Sequence, residues 1–585
     1  MSGTSLNAAW ARVIVRALVA GGVRHAMVAP GSRSAPLALA LAEAAEHGQM
    51  QVHLHHDERT AAFHGLGAAR WTGQPVALLC TSGTAGTHFH AAAAEARASG
   101  IPLVLLTADR PPDVRHAHAH QTIDQRGLYG PTVLLWRELG LPRAEEQALR
   151  HLQATVTQAV AATQGWPRGP VHLDVPFGDW LHPAEERAHA SGMLEGMIAD
   201  LPPAPRWWPS VPEPAPESWA AVEGLVREAR RPMLVLGSLL APWDGEIGDV
   251  EASGWVVLRD PAAWDAGTGI RGGHLEVMAR SARARDLTPD LIIRAGGGPV
   301  SGSTLKWLAA CTAPVVHVQP DRERWDADAR ATHILTGASG PLLKRLAAIG
   351  SPHDRTTWSG QWEALREAAA SHAREATLPP EPDALRTALG HWPADGLVMI
   401  GNSMPIRYAD FVGTSRVRVV ANRGAAGIDG QVATALGARL ASGLPTLLIT
   451  GDVSFLHDLG TWSGIRPGGA PFAVLLLDND GGGIFHTLPI GEHPEACTPW
   501  CSTPHGLDPT QGLEGLGVLT HHPRDDEGLV RALEEALRDD RPHVLRIVAE
   551  RESGMTAWQA VLDDGVRQVI ASMESWTRCK EEMNG

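Results

Sequence analysis

Along the chain, short apolar β-rich runs alternate with longer stretches whose apolar residues recur at helical spacing. From 23 to 176 the runs are VRHAMVAP, MQVHLHH, PVALLCT, IPLVLLTAD and GPVHLDVP, separated by Ala-rich segments. Such alternation predicts strands joined by crossover helices, hence a parallel, doubly wound sheet. Before the first run, Trp10, Val13, Ile14, Ala17 and Leu18 fall on one face of a helical pattern that Arg12 and Arg16 interrupt. This predicts a helix facing the core rather than a signal peptide.

The theme recurs twice. A second block carries PMLVLG, GWVVL, PDLIIRAGGG and APVVHVQ and ends in a charged, Ala-rich helix near 361–375. A third carries GLVMIGN, PTLLITGD, APFAVLLLDND and HVLRIVAE. LPPAPRWWPSVPEPAPE at 201–217 is too rich in proline for helix or central strand and reads as a linker, and LPPEPD at 378–383 reads as a second break. The expected organisation is α/β throughout: a first domain over 1–185, a Pro-rich linker over 186–217, a central domain over 218–377 and a last domain over 378–585.

Composition narrows the class. The chain has 585 residues, is 44% hydrophobic, and has no uninterrupted apolar run near the roughly 20 residues of a membrane span. A formal net charge of −15 argues against a nucleic-acid partner, which requires a basic footprint. Five scattered cysteines make no disulfide framework and suit a reducing cytoplasm. Cys497 and Cys501 lack the second ligand pair of a closed zinc site, and the alternating His116, His118 and His120 read as a polar loop.

Chemistry concentrates in GDVSFLHDLGTWSGIRPGGAPFAVLLLDNDGG, residues 451–482. Two apolar strands end at Gly451 and Asp478, so Asp452 and Asn479 lie just past strand C-termini, where ligands of open α/β sheets gather. A helix is expected between them, beginning beside Asp452. A carboxylate, an amide oxygen and a glycine backbone offer hard oxygen ligands that suit Mg²⁺, or Mn²⁺, holding a diphosphate. Taken singly, Asp452 is also a helix cap, and Asn479, Asp480 and Gly481 a turn.

Gly-Asp followed, 27 positions after that Asp, by Asn at the end of an apolar strand resembles the thiamine-diphosphate binding signature. HHDERTAAFHGLGAAR is similar to the glutamate motif of the same enzymes at Glu58. The resemblance implies three domains of the thiamine-diphosphate-dependent decarboxylase type, with Glu58 hydrogen-bonded to the aminopyrimidine ring and driving its imino tautomer. APGSRSAPL, LTADRPP, AHQTIDQ, GNSMPIR, ANRGAAGIDG and DNDGGGIFHTLP, in this order, further resemble the 2-succinyl-5-enolpyruvyl-6-hydroxy-3-cyclohexene-1-carboxylate synthases of menaquinone biosynthesis. That branch decarboxylates 2-oxoglutarate and adds the succinyl-semialdehyde unit to isochorismate.

The resemblance assigns roles residue by residue. Arg407 and Arg423 would hold the distal carboxylate of 2-oxoglutarate, while Ser32, Arg33, Arg110 and Gln121 would face isochorismate. Ile428 would keep the cofactor bent. Asn402, Ser403, Gly451, Ser454 and Ile484 would also line the cofactor, Asp452, Asn479 and Gly481 would hold the metal, and Ile484, Phe485 and Leu488 would form an apolar wall. The catalytic set is Glu58, Arg33, Gln121, Arg407 and Arg423. The two dianionic substrates that the resemblance implies would demand arginines on an acidic protein, since a planar guanidinium fork grips carboxylates at two points. Where relatives commonly carry lysine, this chain has Gly302 and Ser303, with Lys306 a candidate substitute. The family also implies a homodimer or homotetramer with the site between subunits.

Three other readings stand beside this one. Another thiamine-dependent 2-oxoacid decarboxylase or carboligase would need fewer motif arginines. A nucleotide-binding oxidoreductase is suggested only by LIIRAGGG, which lacks the full Gly-x-Gly-x-x-Gly pattern. A non-catalytic binding protein on the same fold would not need Glu58.

Overall fold

The computed structural model describes residues 6–178, 196–208, 210–238, 247–263, 273–321, 323, 325–414, 417–465 and 468–584. Three sheets form, one per apolar block, and every strand pairing is parallel. The first has β1 (His25–Val28), β2 (Gln51–Leu54), β3 (Val76–Cys80), β4 (Leu103–Asp109), β5 (Leu135–Glu138) and β6 (Val171–Pro176), ordered β2-β1-β3-β4-β6-β5. The second has β7 (Pro232–Leu236), β8 (Val256–Arg259), β9 (Leu291–Ala295), β10 (Val315–Gln319) and β11 (His333–Thr336), ordered β11-β10-β9-β7-β8. The third has β12 (Leu397–Ile400), β13 (Arg418–Val420), β14 (Thr446–Gly451), β15 (Phe472–Asp478), β16 (Leu519–His521) and β17 (Pro542–Val548), ordered β13-β12-β14-β15-β17-β16.

The chain divides into two compact units. One comprises 1–211, 424–443 and 458–465; the other comprises 212–423, 444–457 and 466–585. In the first unit, alternate strand residues feed two cores: Ala26, Val28, Ala77 and Leu79 on one face of the sheet, Met27, Leu78, Cys80 and Leu105 on the other. The expected N-terminal helix, Leu6–Ala20, buries Trp10, Val13, Ile14, Ala17 and Leu18. In the second unit one apolar core runs continuously from Met233, Val235 and Ile292 of the second sheet to Ala473, Leu475 and Leu477 of the third.

Two expectations need correction. Residues 378–383 are not simply a break: a helix begins at Pro380 and runs to His391, proline being tolerated in a first turn where its missing N–H has no intrahelical partner. The segment between β14 and β15 is not one helix. It is a short α-helix, Asp452–His457, followed by a 3₁₀ stretch, Leu459–Gly464. The break falls at Asp458, where the backbone leaves helical geometry (φ −106°, ψ 14°) and the buried carboxylate accepts the N–H groups of Gly430 and Val432. Residues 186–195 of the expected linker lie outside the described residues, whereas 201–208 and 210–215 have neither helix nor strand.

Candidate active site

In the first unit the candidate residues follow strands of one sheet at their C-terminal ends. Ser32 and Arg33 open a 3₁₀ turn after β1, Glu58 follows β2, and Arg110 follows β4. Asp57 caps the helix Glu58–Thr72, accepting from Arg59 N at 2.9 Å, and half-buried Glu58 is its first residue. Gln121 adopts φ +55° and is tied to the loop after β3: its Nε2 donates to Ser82 O (3.2 Å) and its own carbonyl accepts from Ser82 Oγ (3.0 Å). Arg33 is buried, and its Nη1 donates to the carbonyls of Phe177 (3.0 Å) and Gly178 (2.7 Å), so part of this guanidinium serves the fold. Arg110 is half-buried.

Ile428 also belongs to this unit, 36% exposed on a loop held by a residue the sequence did not flag. Glu95 is 3% exposed and accepts three successive backbone N–H groups: Gly424 (3.0 Å), Ala425 (2.8 Å) and Ala426 (3.2 Å). Arg70 and Ser99 donate to the same carboxylate at 2.9 and 2.7 Å.

In the second unit the ends of β14 and β15 meet as expected. Gly481 N donates to Asp452 Oδ2 at 2.7 Å, and Val453 N donates to Oδ1 at 2.7 Å. Gly481 has φ +132°, and a Cβ there would lie 2.2 Å from Ser502 O, so only glycine fits. Ser454 is buried beside them and Gly451 closes β14. Burial, with the nearby Asp478 carboxylate, pushes the Asp452 carboxyl above the usual range. Asn479 is 6% exposed; its Nδ2 donates to Glu381 Oε1 at 3.0 Å, while its buried Oδ1 has no hydrogen-bond partner among the described residues.

These observations test the expected metal. A buried carboxylate held ionised at a cost, an amide oxygen with no partner and the Gly481 carbonyl are an oxygen donor set that a hard divalent cation would complete. His505 adds a fourth polar group. Its Nδ1 accepts from Leu507 N at 3.0 Å, leaving Nε2 to donate to Asp452 Oδ2 at 3.2 Å.

The arginine pair lies in the same unit. Arg423 Nη1 donates to Asn402 Oδ1 (2.8 Å), and Asn402 Nδ2 donates to Asn422 O (2.8 Å). Arg407 Nη1 donates to the carbonyl of Ser403 (2.6 Å), a residue at φ +69° that begins the helix Met404–Val412. Burial first, and then the positive charge of Arg423, lower the proton affinity of Arg407, as expected of two guanidiniums gathered for an anion. Ile484 packs on the core, Phe485 is half-buried and Leu488 is 45% exposed.

At the departure from the family pattern, Ser303 Oγ donates to Glu276 Oε1 at 2.6 Å, and Ser301 Oγ donates to Oε2 at 2.6 Å. The position is tied to an acid, and Lys306 is exposed. Cys497 and Cys501 are free thiols.

Glu381 and Glu95 escaped the sequence analysis. Glu381 sits inside the proline stretch taken as a break, and Glu95 lies in an unremarkable Ala-rich helix. A lone buried acid leaves no motif.

With this geometry in view, comparison with known proteins is decisive. Residues 9–128 match the thiamine pyrophosphate enzyme N-terminal TPP binding domain, and residues 402–547 match the corresponding C-terminal TPP binding domain. The 2-succinyl-5-enolpyruvyl-6-hydroxy-3-cyclohexene-1-carboxylate synthase of Halorubrum lacusprofundi is 34% identical over 94% of this chain and 96% of its own length. Those of Rubrobacter xylanophilus and Geobacillus kaustophilus are 35% and 32% identical, covering 95% and 97% of this chain and 98% and 99% of their own lengths. The chain belongs to this synthase family. It is a thiamine-diphosphate-dependent enzyme, and its cofactors are thiamine diphosphate and a divalent cation such as Mg²⁺. Among the described residues no helix is long and apolar enough to cross a membrane.

Proposed function

We propose that the chain joins 2-oxoglutarate to isochorismate with loss of CO₂, giving 2-succinyl-5-enolpyruvyl-6-hydroxy-3-cyclohexene-1-carboxylate in menaquinone biosynthesis. The observation that carries this reading is the presence, in one unit, of both the Asp452–Asn479–Gly481 oxygen set and the Arg407–Arg423 cation pair. The first suits a metal diphosphate, the second a dicarboxylate.

When bound, thiamine diphosphate supplies a carbon nucleophile and an acceptor for the electron pair that decarboxylation releases. This chain's residues do the rest. Glu58 would hold the aminopyrimidine ring by a hydrogen bond from its carboxyl group and carry the proton exchanged there. Asp452, Asn479 and the Gly481 carbonyl would hold the cation, Gly451, Ser454, Asn402 and Ser403 would help hold the diphosphate, and Ile428 and Ile484 would contact the cofactor. Arg407 and Arg423 fix the distal carboxylate of 2-oxoglutarate. Ser32, Arg33, Arg110 and Gln121 receive isochorismate, and Phe485 and Leu488 keep water from the reacting carbons. The 1–185, 218–377 and 378–585 blocks serve as pyrimidine-binding, central and diphosphate-binding domains. Two or four copies assemble, the first domain of one subunit completing the site on the last domain of another. The free buried thiols Cys80, Cys311 and Cys497 suit the cytoplasm.

The test is a coupled assay. Purified protein with thiamine diphosphate, Mg²⁺, 2-oxoglutarate and isochorismate should consume the isochorismate absorbance and yield the succinylated adduct by mass. Turnover of 2-oxoglutarate without adduct would leave only a decarboxylase.

A further inference from the structure

Asn479 can ligate a cation only through Oδ1, and an amide presents oxygen or nitrogen to a given side with little intrinsic preference. The structure contains a device that decides between them. Glu381, in the first turn of the helix Pro380–His391, is 5% exposed. Its Oε1 accepts from Asn479 Nδ2 at 3.0 Å and its Oε2 accepts from Tyr408 OH at 3.0 Å. Tyr408 is itself 1% exposed, wedged edge-on against Trp558 with ring centroids 4.9 Å apart, so the carboxyl group is held from both sides. With Glu381 ionised, turning the amide over would set its oxygen against a carboxylate oxygen in a buried site. The orientation that remains leaves Oδ1 without a hydrogen-bond partner among the described residues.

Resting on the cation site proposed above, we infer that Glu381 is a positioning residue for metal and cofactor capture: it pins the Asn479 amide so that Oδ1 is presented to the divalent cation. Outer-shell partners of this kind fix ligand orientation, and losing one weakens metal affinity about 10- to 100-fold.

The experiment measures Mn²⁺ affinity by electron paramagnetic resonance, with saturating thiamine diphosphate, and the melting temperature of each metal-free protein. Glu381→Met fills the same volume without an acceptor and should weaken Mn²⁺ binding about 10- to 100-fold. Glu381→Gln can still offer an amide oxygen to Nδ2 and its NH₂ to the tyrosine oxygen, so it should bind Mn²⁺ like wild type. Glu381→Asp, the more conservative change should the Met variant not fold, withdraws the acceptor by one methylene and should fall between. A purely structural role predicts lower metal-free melting temperatures with unchanged Mn²⁺ affinity, and that result overturns the inference. Asp452→Ala is the control for the site: if it too binds Mn²⁺ normally, the cation site itself is wrong, whereas loss there with normal binding in Glu381→Met and Glu381→Asp sinks only Glu381.

Discussion

Gly67 and Gly437 face one another's backbones where the helix Glu58–Thr72 crosses the helix Gln431–Ser442. A Cβ on Gly67 would lie 1.9 Å from Thr434 O, and one on Gly437 would lie 1.9 Å from His64 O. The crossing is closed by absence of side chains on both helices at once. It sets the helix that begins at Glu58 against the one that follows the Ile428 loop. Gly67→Ala or Gly437→Ala must therefore push two backbones apart, which costs about 1–3 kcal/mol for overpacking. Thermal denaturation should register it in each variant, and because the two substitutions strain one contact, the double variant should lose less than the sum. Additive losses would mean that the helices do not share this crossing in solution.

Glu58→Gln should bind thiamine diphosphate and fold like wild type yet lose about 10²- to 10⁴-fold in kcat, the usual scale of general acid–base assistance. The amide cannot pass the proton that a carboxyl group can. Cofactor titration and steady-state rates on the same preparation decide it; near-normal kcat would remove Glu58 from the chemistry.

Much of this was legible in advance, and the pattern of what was missed is physical. All thirteen apolar runs in the sequence became strands; eleven of them, all but the edge strands β2 and β8, are flanked on both sides in a parallel sheet, a position that needs near-continuous apolar composition, as the fully buried β3, β4 and β15 display. The four strands that went unseen, β5, β11, β13 and β16, are each three or four residues long and each sits at a sheet edge. Their side chains are largely half-exposed, so no hydrophobic run marks them. Likewise Asp452 and Gly481 could be found because strand ends announce them. Glu95 and Glu381 act through partners hundreds or tens of residues away, and no local spacing encodes that.

Glu95 should be indispensable to the loop that carries Ile428. Glu95→Ala strips the acceptor from three successive loop N–H groups and leaves the buried Arg70 guanidinium, whose proton affinity burial already lowers, without this partner. Breaking a buried pair in this way costs about 3–5 kcal/mol. The variant should melt earlier and be cut by protease within 424–430. Glu95→Gln, keeping one oxygen, should be milder. An intact loop and unchanged melting temperature in Glu95→Ala would contradict the assignment.

The first unit also carries a built-in acid sensitivity. His25, His53 and His64 form a stack with ring centroids 5.8 and 6.2 Å apart, and His55 meets His64 edge-on at 4.9 Å. Burial, aided for His53 by its histidine neighbours, lowers His53 to about 4; burial lowers His55 to about 4 against the opposing pull of Asp57. His64 is lowered as well, by burial and then by the surrounding histidines and Arg439. Since these folded values lie below 6.5, the unfolded chain takes up protons first as pH falls. The stabilisation is thus complete above pH 6.5 and is lost on going down through about 4. Melting temperatures should fall across that window, and His53→Gln should flatten the slope. A slope identical in wild type and variant would place the acid sensitivity elsewhere.

Substrate choice turns on Arg407 and Arg423. Each charge-assisted contact to the distal carboxylate of 2-oxoglutarate should contribute roughly 1.5–3 kcal/mol, which is about ten- to a hundredfold in affinity. Pyruvate has no distal carboxylate and makes no use of either contact. Arg407→Ala and Arg423→Ala should therefore depress kcat/KM for 2-oxoglutarate far more than for pyruvate, with isochorismate saturating. Because Arg423 also donates to Asn402 and Arg407 to Ser403 O, each truncation releases a loop as well as a charge, and part of the loss should be common to both oxoacids. The selective part is the ratio between them. Lysine at either position should restore only a fraction of that ratio, since a point charge does not reproduce a planar two-point grip. Equal losses for the two oxoacids would assign the arginines to the loops or to isochorismate, and 2-oxoglutarate would then lose its recognition site in this protein.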